Sequence, residues 1–137
     1  MERSDFRILV VDDEEDWVTV NSKVLSRRGY HVEGASDALE AVELVRERPC
    51  HLAFLDIDMP GMSGIELIDR LRAHAPDIEI VMLTGYGTEE KHSAARIRGI
   101  LDFLEKIVCS EDRVLGEEMA DLAEEVFEKV NSESSKT

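Results

Sequence analysis

The stretch His51–Gly64, HLAFLDIDMPGMSG, decides the fold. From His51 to Leu55 the chain runs without alternation and stops abruptly at Asp56. The same event occurs upstream, where the apolar run Ile8–Val11 stops at Asp12, and downstream, where Ile80–Leu83 stops at Thr84. Short runs rich in Val, Ile and Leu that do not alternate read as strands buried on both faces of a parallel sheet. Two weaker strands are expected at Tyr30–Ala35, after Gly29, and at Ile100–Leu104, after Gly99.

Helical patterns separate these runs. Trp17, Val20, Val24 and Arg28 recur at spacings of three and four and end at Gly29. Ser36 and Asp37 can cap a helix that buries Ala38, Ala41, Val42 and Val45 and closes before Pro49. Gly64–Ala75 carries Leu67, Ile68 and Leu71 and ends at Pro76. Thr88–Arg98 is thinner, with Ala94, Ala95 and Ile97 to bury. A final helix from about Glu111 to Val130, capped by Ser110, shows Leu115, Met119, Leu122 and Val126 beside Ala123, Phe127 and Val130. At about 20 residues it would be roughly 30 Å long. Residues 131–137 read as a disordered polar tail, so one domain is expected over residues 1–130.

Strand and helix alternate five times, and right-handed crossovers then give an α/β fold with a doubly wound five-stranded parallel sheet. The common strand order 2-1-3-4-5 reverses the chain direction between strands 1 and 3, and a ligand belongs at the carboxyl ends of those strands. Asp12 and Asp13 follow strand 1 and Asp56 follows strand 3. Carboxylates crowded together stay ionised only if a cation neutralises them, and hard oxygens without imidazole or thiol favour Mg²⁺. Thr84 adds a hydroxyl, Gly85 an unobstructed amide and Lys106 an ammonium. Such a set suits phosphoryl chemistry, with an aspartate as nucleophile.

Composition narrows the function classes. The 137 residues are 43% hydrophobic, and 16 Lys+Arg against 31 Asp+Glu leave a formal charge of −15. That surface repels phosphate backbones and anionic membranes, so no direct nucleic-acid binding is expected. Two cysteines, Cys50 and Cys109, match no metal-ligand spacing and read as reduced thiols. No run approaches the ~18 apolar residues of a membrane span, and a soluble cytoplasmic protein is expected.

Four blocks, VVDDEE at Val10–Glu15, LDIDMPGMSG at Leu55–Gly64, MLTGYG at Met82–Gly87 and DFLEK at Asp102–Lys106, carry a resemblance in order and spacing. Together they resemble the response-regulator receiver domain of two-component signalling. The resemblance implies a flavodoxin-like three-layer sandwich with Asp56 as phosphoacceptor. It implies that Asp13, Asp56 and the backbone carbonyl of Asp58 ligate Mg²⁺, with Asp12 acting directly or through water. It further implies that Thr84 and Lys106 bind phosphoryl oxygens, that the Gly85 amide assists, and that Phe103 is a switch aromatic turning inward as Thr84 moves. Asp58 and Tyr86 stand where the family tunes phosphate lifetime, and Pro60 and Gly61 where it makes a tight turn. The implied partner is a sensor histidine kinase or histidine phosphotransfer domain. A homodimer through the surface of the fourth helix, fifth strand and fifth helix is a further implication. The protein is then a switch with slow self-catalysed chemistry rather than a turnover enzyme.

Two rival readings start from the same residues. DIDMP resembles the first motif of haloacid-dehalogenase-like phosphatases, but Pro60 stands where that family wants Thr or Val. A calcium-binding EF-hand loop from Asp56 needs an acid at its twelfth position, which is Leu67, and Glu66 misses by one. The receiver pattern itself is broken once: Ile107 follows Lys106 where proline is usual, and a non-proline cis bond costs roughly 2.5–4 kcal/mol. A trans bond is therefore expected there. No output pattern follows, so the chain reads as a stand-alone receiver or as part of a longer regulator with a DNA-binding or ATPase output.

Overall fold

Apolar strands flanked by amphipathic helices bury both sheet faces in a computed structural model that describes residues 1–56, 59, 61–84, 96–105 and 113–134. A short 3-10 turn, Arg3–Asp5, precedes β1 (Arg7–Val11), α1 (Glu15–Arg27), β2 (His31–Ala35), α2 (Ala38–Glu47) and β3 (Leu52–Asp56). Then come α3 (Gly64–His74), β4 (Glu79–Thr84), β5 (Asp102–Glu105) and a C-terminal helix, Arg113–Ser134. All strand pairs are parallel and the order is β2-β1-β3-β4-β5, as expected from the alternating pattern.

The unalternated runs split residue by residue between two cores. Leu9, Val11, Ala53, Leu55, Ile80 and Met82 meet α2 and α3, while Ile8, Val10, Leu52, Phe54, Val81 and Leu83 meet α1 and the C-terminal helix. Each fully buried Val, Leu, Ile, Phe or Met among them contributes about 1.5–3 kcal/mol of transfer free energy, which is why the strands carry no polar face. The turns follow local chemistry. Asp37 accepts the Glu40 N–H at 2.8 Å and starts α2, and Ser63 Oγ accepts the Glu66 N–H at 3.2 Å and starts α3. Gly29, at φ 100°, terminates α1 in a conformation that costs a side chain dearly.

Several expectations need correction. The buried stripe of α1 is Val18, Asn21 and Leu25, whereas Val20 is 49% exposed. The helix enters the core with Val18 and Leu25, sets Val24 beside Gly116 of the C-terminal helix and keeps Trp17 partly buried, so two neighbours divide its apolar residues. Ile97, expected to be buried, is 84% exposed. Strand β5 starts at Asp102 rather than Ile100; Leu101 N–H already donates to the Ile80 carbonyl at 2.7 Å, ahead of the ladder. The C-terminal helix continues through Asn131 to Ser134, four residues into the expected tail. Asn131 holds it there: its Oδ1 accepts from the Met1 ammonium at 2.9 Å and its Nδ2 donates to the Met1 carbonyl at 3.3 Å. Cys50 is a buried free thiol, as expected, and burial pushes its pKa up to about 11. Cys109, most of the Thr88–Arg98 helix, the Ser110 cap and residues 135–137 lie outside the described residues. Among the described residues, no helix is long and apolar enough to cross a membrane.

Candidate functional site

The register of the sheet assembles the site. Val11 pairs with Leu55, so the residues that follow, Asp12 and Asp56, arrive side by side at the carboxyl edge where the chain reverses. Asp12 extends the β1 ladder by donating its N–H to the Ala35 carbonyl at 3.2 Å. Its Oδ1 accepts the Glu14 N–H at 3.0 Å, an Asx turn that bends the chain into α1 and exposes Asp13 at the corner. Asp56 closes β3 and is paired with Leu83 of β4. Asp12 is fully buried, Asp56 is 4% exposed, and Asp13 faces solvent.

These three carboxylates each present an oxygen, and the oxygens all lie within 4.8 Å of one another. At an effective dielectric constant of about 20, two ionised groups so placed repel by about 3 kcal/mol. A hard divalent cation relieves that repulsion, and an all-oxygen donor set of this kind fits Mg²⁺ better than a softer metal. The donor chemistry of these three acids therefore suits the expected ion, with Asp12, Asp13 and Asp56 as the residues that would hold it.

The other expected residues are placed unevenly. Thr84 is the last residue of β4, in register with Glu105, and so ends its strand at the same edge. Asp58, Pro60, Gly85, Tyr86, Lys106 and the Lys106–Ile107 peptide bond lie outside the described residues. Phe103 sits on β5 opposite Met82 and packs, half-buried, against the core shared with α2 and α3. One contact was invisible in the sequence: the Arg96 guanidinium lies over the Phe103 ring, 5.4 Å from its centroid. No periodicity marks Arg96, because the contact joins a helical turn to a strand seven residues away.

The described histidines stand away from the acids, as their sequence positions suggested. His51 lies just before β3, at the opposite end of the sheet; its Nδ1 accepts the Arg7 N–H at 3.0 Å and its ring stacks on Phe6. Burial, with the Arg7 charge beside it, holds its pKa below the usual histidine value.

Comparison with known proteins places this geometry in one family. The sequence profile of the response regulator receiver domain matches residues 8–116. The nitrogen assimilation regulatory protein NtrX of Azorhizobium caulinodans is 39% identical over 101 residues, 72% of this chain and 22% of that protein. The sporulation initiation phosphotransferase F of Bacillus subtilis is 32% identical over 101 residues, 73% of this chain and 81% of that one. A solved CheY-like response regulator receiver domain protein from Methanospirillum hungatei superposes with a TM-score of 0.77 at 29% identity, covering 90% of this chain and 98% of that one. The match thus spans about a fifth of the NtrX relative and most of the other two.

Proposed function

The chain belongs to the response regulator receiver domain family, and from that premise we propose that it accepts a phosphoryl group from a phosphohistidine onto Asp56 and changes its surface in response. The observation that carries this reading is the convergence of Asp12, Asp13 and Asp56 within 4.8 Å at the sheet's switch point. An Asp56 carboxylate oxygen attacks phosphorus, the new P–O bond forms, and the P–N bond to the donor imidazole breaks with its electron pair leaving on nitrogen. Mg²⁺, when bound, would supply positive charge that offsets the carboxylates and the phosphoryl oxygens together. Asp12 and Asp13 would hold that charge beside Asp56, with the Asp58 carbonyl as a further ligand. The Lys106 ammonium and the Gly85 amide take phosphoryl oxygens, and the Thr84 hydroxyl moves towards them.

Phe103 then turns inward, changing the surface formed by residues 88–98, β5 and the C-terminal helix. That surface is where a second copy of the chain would dock. Asp58 and Tyr86 set how long the acyl phosphate lasts. The chemistry is stoichiometric self-modification rather than turnover, the donor is a sensor histidine kinase or histidine phosphotransfer domain, and the exchange takes place in the cytoplasm. A second reading makes these residues the receiver part of a longer regulator with a DNA-binding or ATPase output; the NtrX relative, of which the matched stretch is 22%, supports it. Incubation with Mg²⁺ and acetyl phosphate, followed by intact-mass measurement, tests the reading. One added phosphoryl group is expected, absent in Asp56→Asn; a labelled Asp56→Asn protein, or fast multiple-turnover release of phosphate with no phosphorylated protein accumulating, contradicts it.

A further inference from the structure

Arg96 is an exposed residue on a turn that is held from several sides. Its carbonyl accepts the Gly99 N–H at 2.9 Å, and Gly99 at φ 68° turns the chain towards β5. On α3, Arg72 donates to the carbonyls of Arg98 and Gly99, satisfying acceptors that a helix end leaves open. Arg98 donates to both carboxylate oxygens of Asp69, also on α3, at 3.1 and 3.2 Å. The turn carrying Arg96 is therefore fastened to α3, and its side chain reaches from that fixed base across the Phe103 ring.

We propose that Arg96 is a latch on Phe103, a positioning residue that holds the ring in its half-buried place until phosphorylation draws it inward. The inference rests on the reading of Phe103 as the switch. A guanidinium over an aromatic face is attracted by the ring quadrupole, and the attraction is lost when the ring turns away. The contact thus favours the resting arrangement over the inward one. For a solvent-exposed pair its strength corresponds to a factor of about two to five in that equilibrium. By linkage, any ligand that binds the inward arrangement better is weakened by up to the same factor. Charge repulsion from the guanidinium would act differently, because it would not depend on what residue 103 is.

Two readouts test the latch. The first is the affinity of Mg²⁺ with beryllofluoride, a phosphoryl mimic, for the full chain, Arg96→Ala, Phe103→Leu and the double variant. Tightening by about two- to five-fold in Arg96→Ala, absent in the Phe103→Leu background and partly reversed in Arg96→Lys, is expected. Unchanged affinity, or equal tightening with Leu at 103, overturns the latch. The second readout needs no phosphoryl chemistry: the fluorine NMR line of fluorophenylalanine at 103, assigned by its loss in Phe103→Leu. It should move in Arg96→Ala, and a stationary line overturns the latch even where beryllofluoride binds. Failure of the unmodified chain to bind beryllofluoride would instead refute the receiver reading and the switch role on which the latch depends.

Discussion

Asp12 and Asp56 are almost fully buried, and Asp13 joins them from the solvent side. The cluster combines cost and utility, because the repulsion among its carboxylates is what a bound cation would relieve. Two effects of Asp13→Asn should follow. In metal-free buffer its melting temperature rises by about 1–3 °C as repulsion is relieved, a small shift because Asp13 is exposed. Adding Mg²⁺ raises the melting temperature of the unmodified protein and raises that of the variant less, by linkage to binding. Thermal scans with and without Mg²⁺ read both, and an equal metal response in the two proteins contradicts the site. Asp12 and Asp56 were legible in the sequence because each follows directly on an apolar run that has to be a strand, and Asp13 is next to Asp12. Arg96 was not, since a pair contact between a turn and a strand leaves no period in the sequence.

Elements show why periodicity succeeded for the sheet and stumbled on α1. A central strand of a parallel sheet meets apolar neighbours on both faces, so the runs at Ile8, Leu52 and Ile80 could hardly be anything else. A helix wedged between the sheet and a second helix buries a polar Asn21 and exposes Val20, while Trp17 and Val24 of the expected stripe stay partly buried. The closeness of that packing is measurable at Gly34 on β2, where an added methyl would lie 2.7 Å from Val18 Cγ1. A β-branched neighbour has little freedom to retreat, so Gly34→Ala should cost about 1–3 kcal/mol in urea unfolding, and a neutral result would mean that α1 stands off the sheet. The C-terminal helix was legible in its apolar stripe but not in its extent, because what extends it is distant in sequence. Arg3 pairs with Glu124, Tyr30 donates to the same carboxylate at 2.5 Å, and Arg3 lies over the Phe127 ring. Burial and the bond to Glu124 push the Tyr30 pKa up to about 12 from 10. Between those values the unfolded chain loses this proton first, so the contribution to stability is complete below pH 10 and is lost as pH rises through about 12. Tyr30→Phe should therefore flatten the alkaline limb and cost about 1 kcal/mol at neutral pH, read by denaturant titration across pH.

In the whole molecule these features sit at different places on one sheet. The carboxyl edge of β1 and β3 gathers the acids at the point where strand order reverses. The N-terminal segment straps the last helix through Met1 and Arg3, and Tyr30, just before β2, adds a bond to the same Glu124 carboxylate. The formal charge of −15 separates accordingly: three acids converge on the candidate metal site, while others such as Glu117, Glu118 and Glu128 lie on an exposed helix face. Under the proposed function, phosphoryl transfer ends on Asp56 and nowhere else. The most direct test is to phosphorylate the chain with Mg²⁺ and a small phosphodonor, reduce the acyl phosphate with borohydride, and map the peptides by mass spectrometry. Conversion of residue 56 to homoserine, dependent on Mg²⁺, is the predicted result. Reduction at another carboxylate, or no reduced residue after complete phosphodonor treatment, would contradict it.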